Sequence, residues 1–275
     1  EMNMSESNKR NFIVHGSILA IAGILVRIIG MLYRIPVVNI IGSEGNGIYG
    51  AAFNIYNIML VLSSYGLPMA VSKLVSARFT KKRYKSAAKV LRCSLMVAVC
   101  TGGIAALLVF FGASFIENVI YGGGLPGLAV PLRILAPTIF LVAILGVIRG
   151  FFQGQSTMIP TAVSQILEQI VNAIVSIAAG YGMMKAFASS PDVAAYGAAG
   201  STLGTAMGAL TAVLFMGFLY AVYTPTFNRL KRKDRHTENQ STGQICKIII
   251  YTMIPIILGQ TFYQISALID DVMFS

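Results

Sequence analysis

Arg27 and Arg34 stand seven residues apart in the apolar stretch GILVRIIGMLYRIPVV at 23–38. Seven residues is close to two helical turns, so both guanidinium groups project from nearly one face, about 10 Å apart along the axis. Gly23 and Gly30 share that stripe and leave room beside the charges. A guanidinium stays charged at any working pH and offers a planar fork that matches phosphate oxygens in pairs. Two such forks on one face suit a diphosphate or another polyanion. The structural alternative has Arg34 snorkelling to the interface and Arg27 bonded to a buried acid.

A second polar stripe runs through 161–176. Thr161, Gln165, Glu168, Gln169, Asn172 and Ser176 recur at steps of three or four, which places them on one helix face. Glu168 is its sole acid. It either pairs with Arg27, lines a wet cavity, or takes part in proton or cation coupling. A third set lies near the end of the chain. Gln260, Gln264 and Asp271 share one face, and Asp270 lies beside it on the face of Tyr263 and Ser266. Oxygen ligands suit a hard cation, so this set reads either as an ion site or as a span end at the interface, where acids cost little. His15 and His236 are isolated. Cys93, Cys100 and Cys246 show no metal spacing and read as small apolar residues. No nucleophile–base–acid set or phosphate loop appears, which favours a transporter over a membrane enzyme.

Helices inside a bilayer must hold these residues. The chain has 275 residues, 56% hydrophobic and only 11% charged, with a mean hydropathy of +0.73. Apolar stretches run at 12–41, 47–76, 88–116, 127–150, 159–187, 194–224 and 245–275. Each reaches the roughly 20 residues that a spanning helix needs. No alternating pattern is sustained, so a β-barrel is disfavoured. The expected fold is an all-α polytopic transmembrane bundle. The 27 glycines suit close helix contact in lipid. Pro36, Pro68, Pro131, Pro137, Pro160 and Pro255 fall within or at the ends of spans, where kinked helices line transport cavities.

Charge sets the orientation. Lysine and arginine crowd 73–92 and 229–247, with Lys9, Arg10 and Arg149 at two further span ends. The opposite loops, near 42–46, 117–126 and 188–193, contain neither. Lys185 and Arg133 lie near that side as exceptions. Seven alternating spans with a cytoplasmic N-terminus put the basic segments inside. The net charge of +11 is therefore a matter of topology rather than of nucleic-acid binding. The first apolar stretch is too long for a signal sequence and is read as an uncleaved span. The organisation expected is a tail at 1–11, six spans over 12–224, a basic cytoplasmic loop at 225–244 and a seventh span at 245–275. A first residue other than Met and an end inside an apolar stretch are read as marks of a fragment.

The stretch from Gly23 to Phe79, RGFFQGQSTMIPTAVSQILEQI at 149–170 and YGAAGSTLGTAMGALTA at 196–212 resemble, in order, the polysaccharide-flippase branch of the multidrug/oligosaccharidyl-lipid/polysaccharide exporter superfamily. Within it they are most similar to the lipid II and sporulation flippases of Firmicutes. The resemblance implies a two-lobe transporter of the multidrug-exporter type, of which this chain supplies the N-terminal six-helix lobe and the seventh span. It implies alternating access that carries a lipid-linked sugar diphosphate across the cell membrane, for cell-wall or spore-cortex polysaccharide. It assigns Arg27 and Arg34 to the diphosphate, with one more residue between them than in the Gram-negative lipid II flippases. It assigns Asp270 to sodium coupling. The family's acid at the start of span two and arginine within it have no counterpart in IYGAAFNIYNIMLVLSS, and Glu44 lies too early.

Three readings follow. The first is a flippase whose substrate contacts are Arg27, Arg34, Gln165, Glu168, Gln169 and Asn172. Its partners are a lipid-linked sugar diphosphate and membrane lipids, without nucleic acid. It needs no cofactor beyond a coupling sodium ion or proton. The second is a cation-coupled drug or metabolite exporter, disfavoured by two arginines against one acid. The third is a scaffold that gathers cell-wall synthesis enzymes and needs no polar cavity.

Overall fold

A computed structural model describes the backbone over 2–235 and 240–274, and side chains over 16–235 and 240–262. The described residues form seven α-helices: α1 Met2–Ser63, α2 Leu67–Thr80, α3 Tyr84–Phe115, α4 Ala129–Gly154, α5 Ile159–Ala186, α6 Val193–Lys233 and α7 Thr242–Phe274. One π-helical turn, Ile116–Ile120, extends α3. Six continuous helical stretches are long and apolar enough to cross a membrane.

The first of these stretches is two legs. Within α1, Gly42 takes φ 71° and ψ −176°, a conformation that side chains with a Cβ rarely adopt. Tyr33 and Tyr49, on opposite sides of Gly42, interact side chain to side chain. Val37 and Ile41 pack with Ile48 and Tyr49 in one core cluster. The chain therefore folds back at Gly42, and legs 2–41 and 43–63 run side by side. With the first stretch folded into two legs, the described residues offer seven legs of helix.

The second span is not the single rod predicted over 47–76. It breaks at Ser64–Gly66 and resumes as α2, with Pro68 in the first turn, where its missing N–H costs nothing. The break is filled rather than loose. Thr101 donates to the Ser63 carbonyl at 2.9 Å, and a Cβ on Gly66 would stand 3.2 Å from the Met253 Cα of α7.

Two glycine ridges set the packing. Gly146, Gly150 and Gly154 of α4 meet Pro68, Ser72 and Val75 of α2, where a Cβ at Gly150 would lie 2.6 Å from the Pro68 carbonyl. Gly200, Gly204 and Gly208 of α6 meet Ala179, Ser176, Asn172 and Glu168 of α5 almost backbone to backbone. Small residues at four-residue steps permit this approach where the hydrophobic effect gives no preference between helix and lipid.

The two ends of the bundle differ. At one end Glu117 accepts the N–H groups of Gly127 and Ala129 at 3.0 and 2.7 Å and so caps the start of α4. At the other, Phe79, Phe151 and Phe227 join α2, α4 and α6, with ring centroids 5.3–6.3 Å apart. That second end carries Arg78, Lys85, Lys89, Arg92 and Lys231. Arg78 and Lys89 both bond Gln240 between α6 and α7.

Candidate functional site

The α1 stripe borders α5. A Cβ on Gly30 would sit 3.2 Å from the Gln169 side-chain nitrogen, so α1 approaches α5 with Gly30 against Gln169. Arg27 and Arg34 flank Gly30 by three and four residues and lie on the same side of the helix. Both are exposed, and neither makes a hydrogen bond or ion pair among the described residues. No side chain approaches the space that Gly23 leaves.

Glu168 is paired with Arg149, not with Arg27. The Arg149 guanidinium donates to the Glu168 carboxylate at 2.7 Å, with the two side chains 14% and 26% exposed. Its Nε donates to Ser164 Oγ at 2.9 Å, and that hydroxyl donates to the Thr161 carbonyl. The reason is proximity. Arg149 lies five residues before the end of α4 and Glu168 nine residues after the start of α5, and a tight turn at 155–158 sets the two side by side. Arg149, expected only as a marker of a span end, is thus the counter-charge of the stripe.

The α5 stripe divides in two. Gln165, Glu168 and Gln169 remain partly accessible. Asn172 and Ser176 are buried as a joint between three helices. Asn172 Nδ2 donates to the Tyr33 hydroxyl of α1 at 3.3 Å, and its Oδ1 accepts from Ser176 at 2.9 Å and Thr205 of α6 at 3.4 Å. The Ser201 carbonyl, 2.8 Å from Ser176 Oγ, shares that single hydroxyl proton with Asn172. Asn172 therefore positions α1 against α5 and α6 and spends its own polar capacity doing so.

The fold-back of α1 brings in side chains that the linear pattern did not indicate. Tyr33 and Tyr49 face each other within electrostatic reach of Arg34, and Tyr56 lies within reach of Glu168. Tyr33, Tyr49 and Gln169 thus lie along the α1 stripe near Arg34 and Gly30, and Tyr56 lies toward Glu168. Among the described residues the arrangement offers fixed positive charge with hydroxyl and amide hydrogen bonds, and its acid, Glu168, is held by Arg149. It can hold an anion bearing polar substituents. Asp270, Asp271 and Gln264 lie outside the described side chains.

Residues 13–275 match the family model described as polysaccharide biosynthesis protein. Among relatives, the chain is 34% identical over 176 residues to the lipid II flippase MurJ of Bacillus subtilis (strain 168), covering 62% of this chain and 32% of that protein. It is 30% identical over 210 residues to stage V sporulation protein B of the same organism, covering 76% and 39%. It is 28% identical over 271 residues to that organism's uncharacterized membrane protein YabM, covering 98% and 48%. The chain thus spans about a third to a half of the length of these relatives. A solved MATE structure, in complex with MaD3S, superposes with a TM-score of 0.72 at 17% identity, over 92% of this chain and 54% of that one. An outward-facing multidrug resistance MATE family transporter of the MOP superfamily gives 0.70 at 17%, over 92% and 53%. At that identity these two likenesses establish the fold.

Proposed function

The chain belongs to the polysaccharide biosynthesis protein family, and from that premise we propose that it forms part of a flippase for a lipid-linked sugar diphosphate. Lipid II or another undecaprenyl-diphosphate sugar is the substrate class. Arg27 and Arg34 take the diphosphate, Gln165 and Gln169 take sugar hydroxyls, and the polyprenyl tail stays in lipid. Alternating access carries the headgroup from the cytoplasmic to the outer leaflet, with the basic end of the bundle and the N-terminus in the cytoplasm. Asp270 supplies the coupling site for sodium or a proton.

One observation carries this reading. The Arg149–Glu168 pair cancels the one acid of the α5 stripe, so among the described residues the remaining charge of the site is the two unpaired arginines of α1. A site for organic cations needs the reverse balance, an accessible acid beside aromatic rings. The exporter reading loses its anion to Arg149, although the aromatic residues are present.

The test uses the full-length protein. Lipid II binding is measured beside undecaprenyl phosphate, for wild type and for Arg27→Ala/Arg34→Ala. The expected result is tight binding of the diphosphate lipid, about tenfold or more weaker in the double variant. Equal binding by wild type and a folded double variant would remove both arginines from the site. Dye efflux dependent on Glu168 would restore the exporter reading.

A further inference from the structure

A separate feature lies at the basic end of the bundle. Between the start of α3, the end of α6 and the start of α7 is a cavity of about 440 Å³. Lys85, Lys89 and Arg92 of α3 and Lys231 of α6 line it, and no acid does. Asp234 stands behind the α3 start, buried, and accepts the Lys85 backbone N–H at 2.8 Å. Lys89 bonds the Gln240 carbonyl, and the Lys231 ammonium sits 5.3 Å from the Phe227 ring centroid. Each ammonium carries three donors, so these contacts steady the lysines and leave donors for a ligand.

The same face of α3 changes character toward the middle of the helix. Met96, Gly103, Leu107 and Phe110 continue the stripe of Lys85, Lys89 and Arg92 at helical spacing. There a second cavity of about 390 Å³ opens against Pro137 and Phe140 of α4, with no polar side chain in its lining. From Arg92 to Gly103 the helix rises about 16 Å, so an acyl chain spanning the roughly 15 Å of one leaflet reaches the near edge of this groove. Met96, Leu107 and Phe110 are 54%, 58% and 44% exposed.

We propose that this face of α3 binds an anionic phospholipid, its phosphodiester in the lysine–arginine cavity and an acyl chain running past Met96 to end at the near edge of the apolar groove, by Gly103. Charge complementarity selects the headgroup: four cations attract a net anion and repel the ammonium of a zwitterionic lipid. Free phosphate satisfies only the upper cavity and leaves the groove without an occupant. The site is distinct from the α1–α5 stripe and independent of the substrate assigned to it.

The experiment measures binding of phosphatidylglycerol with a fluorescent acyl chain to purified full-length protein in neutral detergent. Unlabelled phosphatidylglycerol, phosphatidylcholine and excess inorganic phosphate serve as competitors. Phosphatidylglycerol alone is expected to compete. Arg92→Gln/Lys231→Gln is expected to weaken binding about tenfold or more. Gly103→Leu fills the groove while leaving every charge in place, and its nearest neighbour, a Phe140 ring atom at 3.9 Å, allows the change without collision. It is expected to weaken phosphatidylglycerol binding and so decides the matter if the charge variant fails to fold. Unchanged affinity in the folded variants, equal competition by phosphatidylcholine, or displacement by inorganic phosphate would overturn the assignment.

Discussion

Arg149 and Glu168 meet at 2.7 Å in surroundings that are largely but not fully dry. Removing one member strands the other, at a cost of about 1–3 kcal/mol. Glu168→Gln is therefore expected to lower the detergent melting temperature. Arg149→Met/Glu168→Met is expected to recover much of that loss, because no charge is left alone. A double-mutant cycle on thermal unfolding measures the coupling, and a cycle that closes at zero would deny that the pair matters to stability. The same cycle separates two roles for Glu168. If it only neutralises Arg149, the Met/Met protein keeps lipid binding. Asn172→Ala is expected to cost about 1–3 kcal/mol through the orphaned partners of a buried joint, while leaving the diphosphate contact itself in place. Both residues were visible in the sequence as polar positions in an apolar span. Their division of labour was not, because steps of three and four name a helix face and do not name the helix it meets.

Among the elements, α1 carries the sharpest bend and α6 a close glycine contact with α5. Gly42→Val is expected to disrupt the fold-back, since φ 71° is open to glycine at little cost and badly strained for a β-branched residue. The readout is monodisperse protein after extraction from the membrane, and Gly42→Asn is expected to lose it as well, because ψ −176° lies outside the left-handed helical region that Asn tolerates. Gly204→Leu places a side chain where Ser176 Oγ and the Asn172 carbonyl already lie, 2.0 and 2.5 Å from the Cβ position. Loss of folded protein is the expected outcome, in contrast to Gly217→Leu on the same helix, whose surroundings are open. Hydropathy located the six long apolar helical stretches found among the described residues, because twenty apolar residues in a row have few other uses. It missed the interruption at 64–66, where the apolar run continues through Tyr65 and Leu67 and only the packing of α7 against Gly66 and the start at Pro68 mark the break.

For the whole molecule, the crowding of lysine and arginine at one end of the bundle sets an expected orientation. On a cysteine-free background, a cysteine at Gln240 is expected to resist an impermeant maleimide added to intact cells, and one at Gly123 to react. The opposite labelling would invert the molecule and place the lipid cavity of α3 in the outer leaflet. The sequence by itself determined the membrane class, the helical architecture, the two arginines of α1 and the polar stripe of α5. Each of these is a local property: hydropathy, periodicity and charge are read within a few turns of one helix. Only the tertiary structure decided which charges cancel. Arg149 and Glu168 lie on different helices, and so do Lys231 and the α3 lysines. Whether such charges meet depends on a turn at 155–158, a fold-back at Gly42 and two glycine ridges, each of which acts through space rather than along the chain.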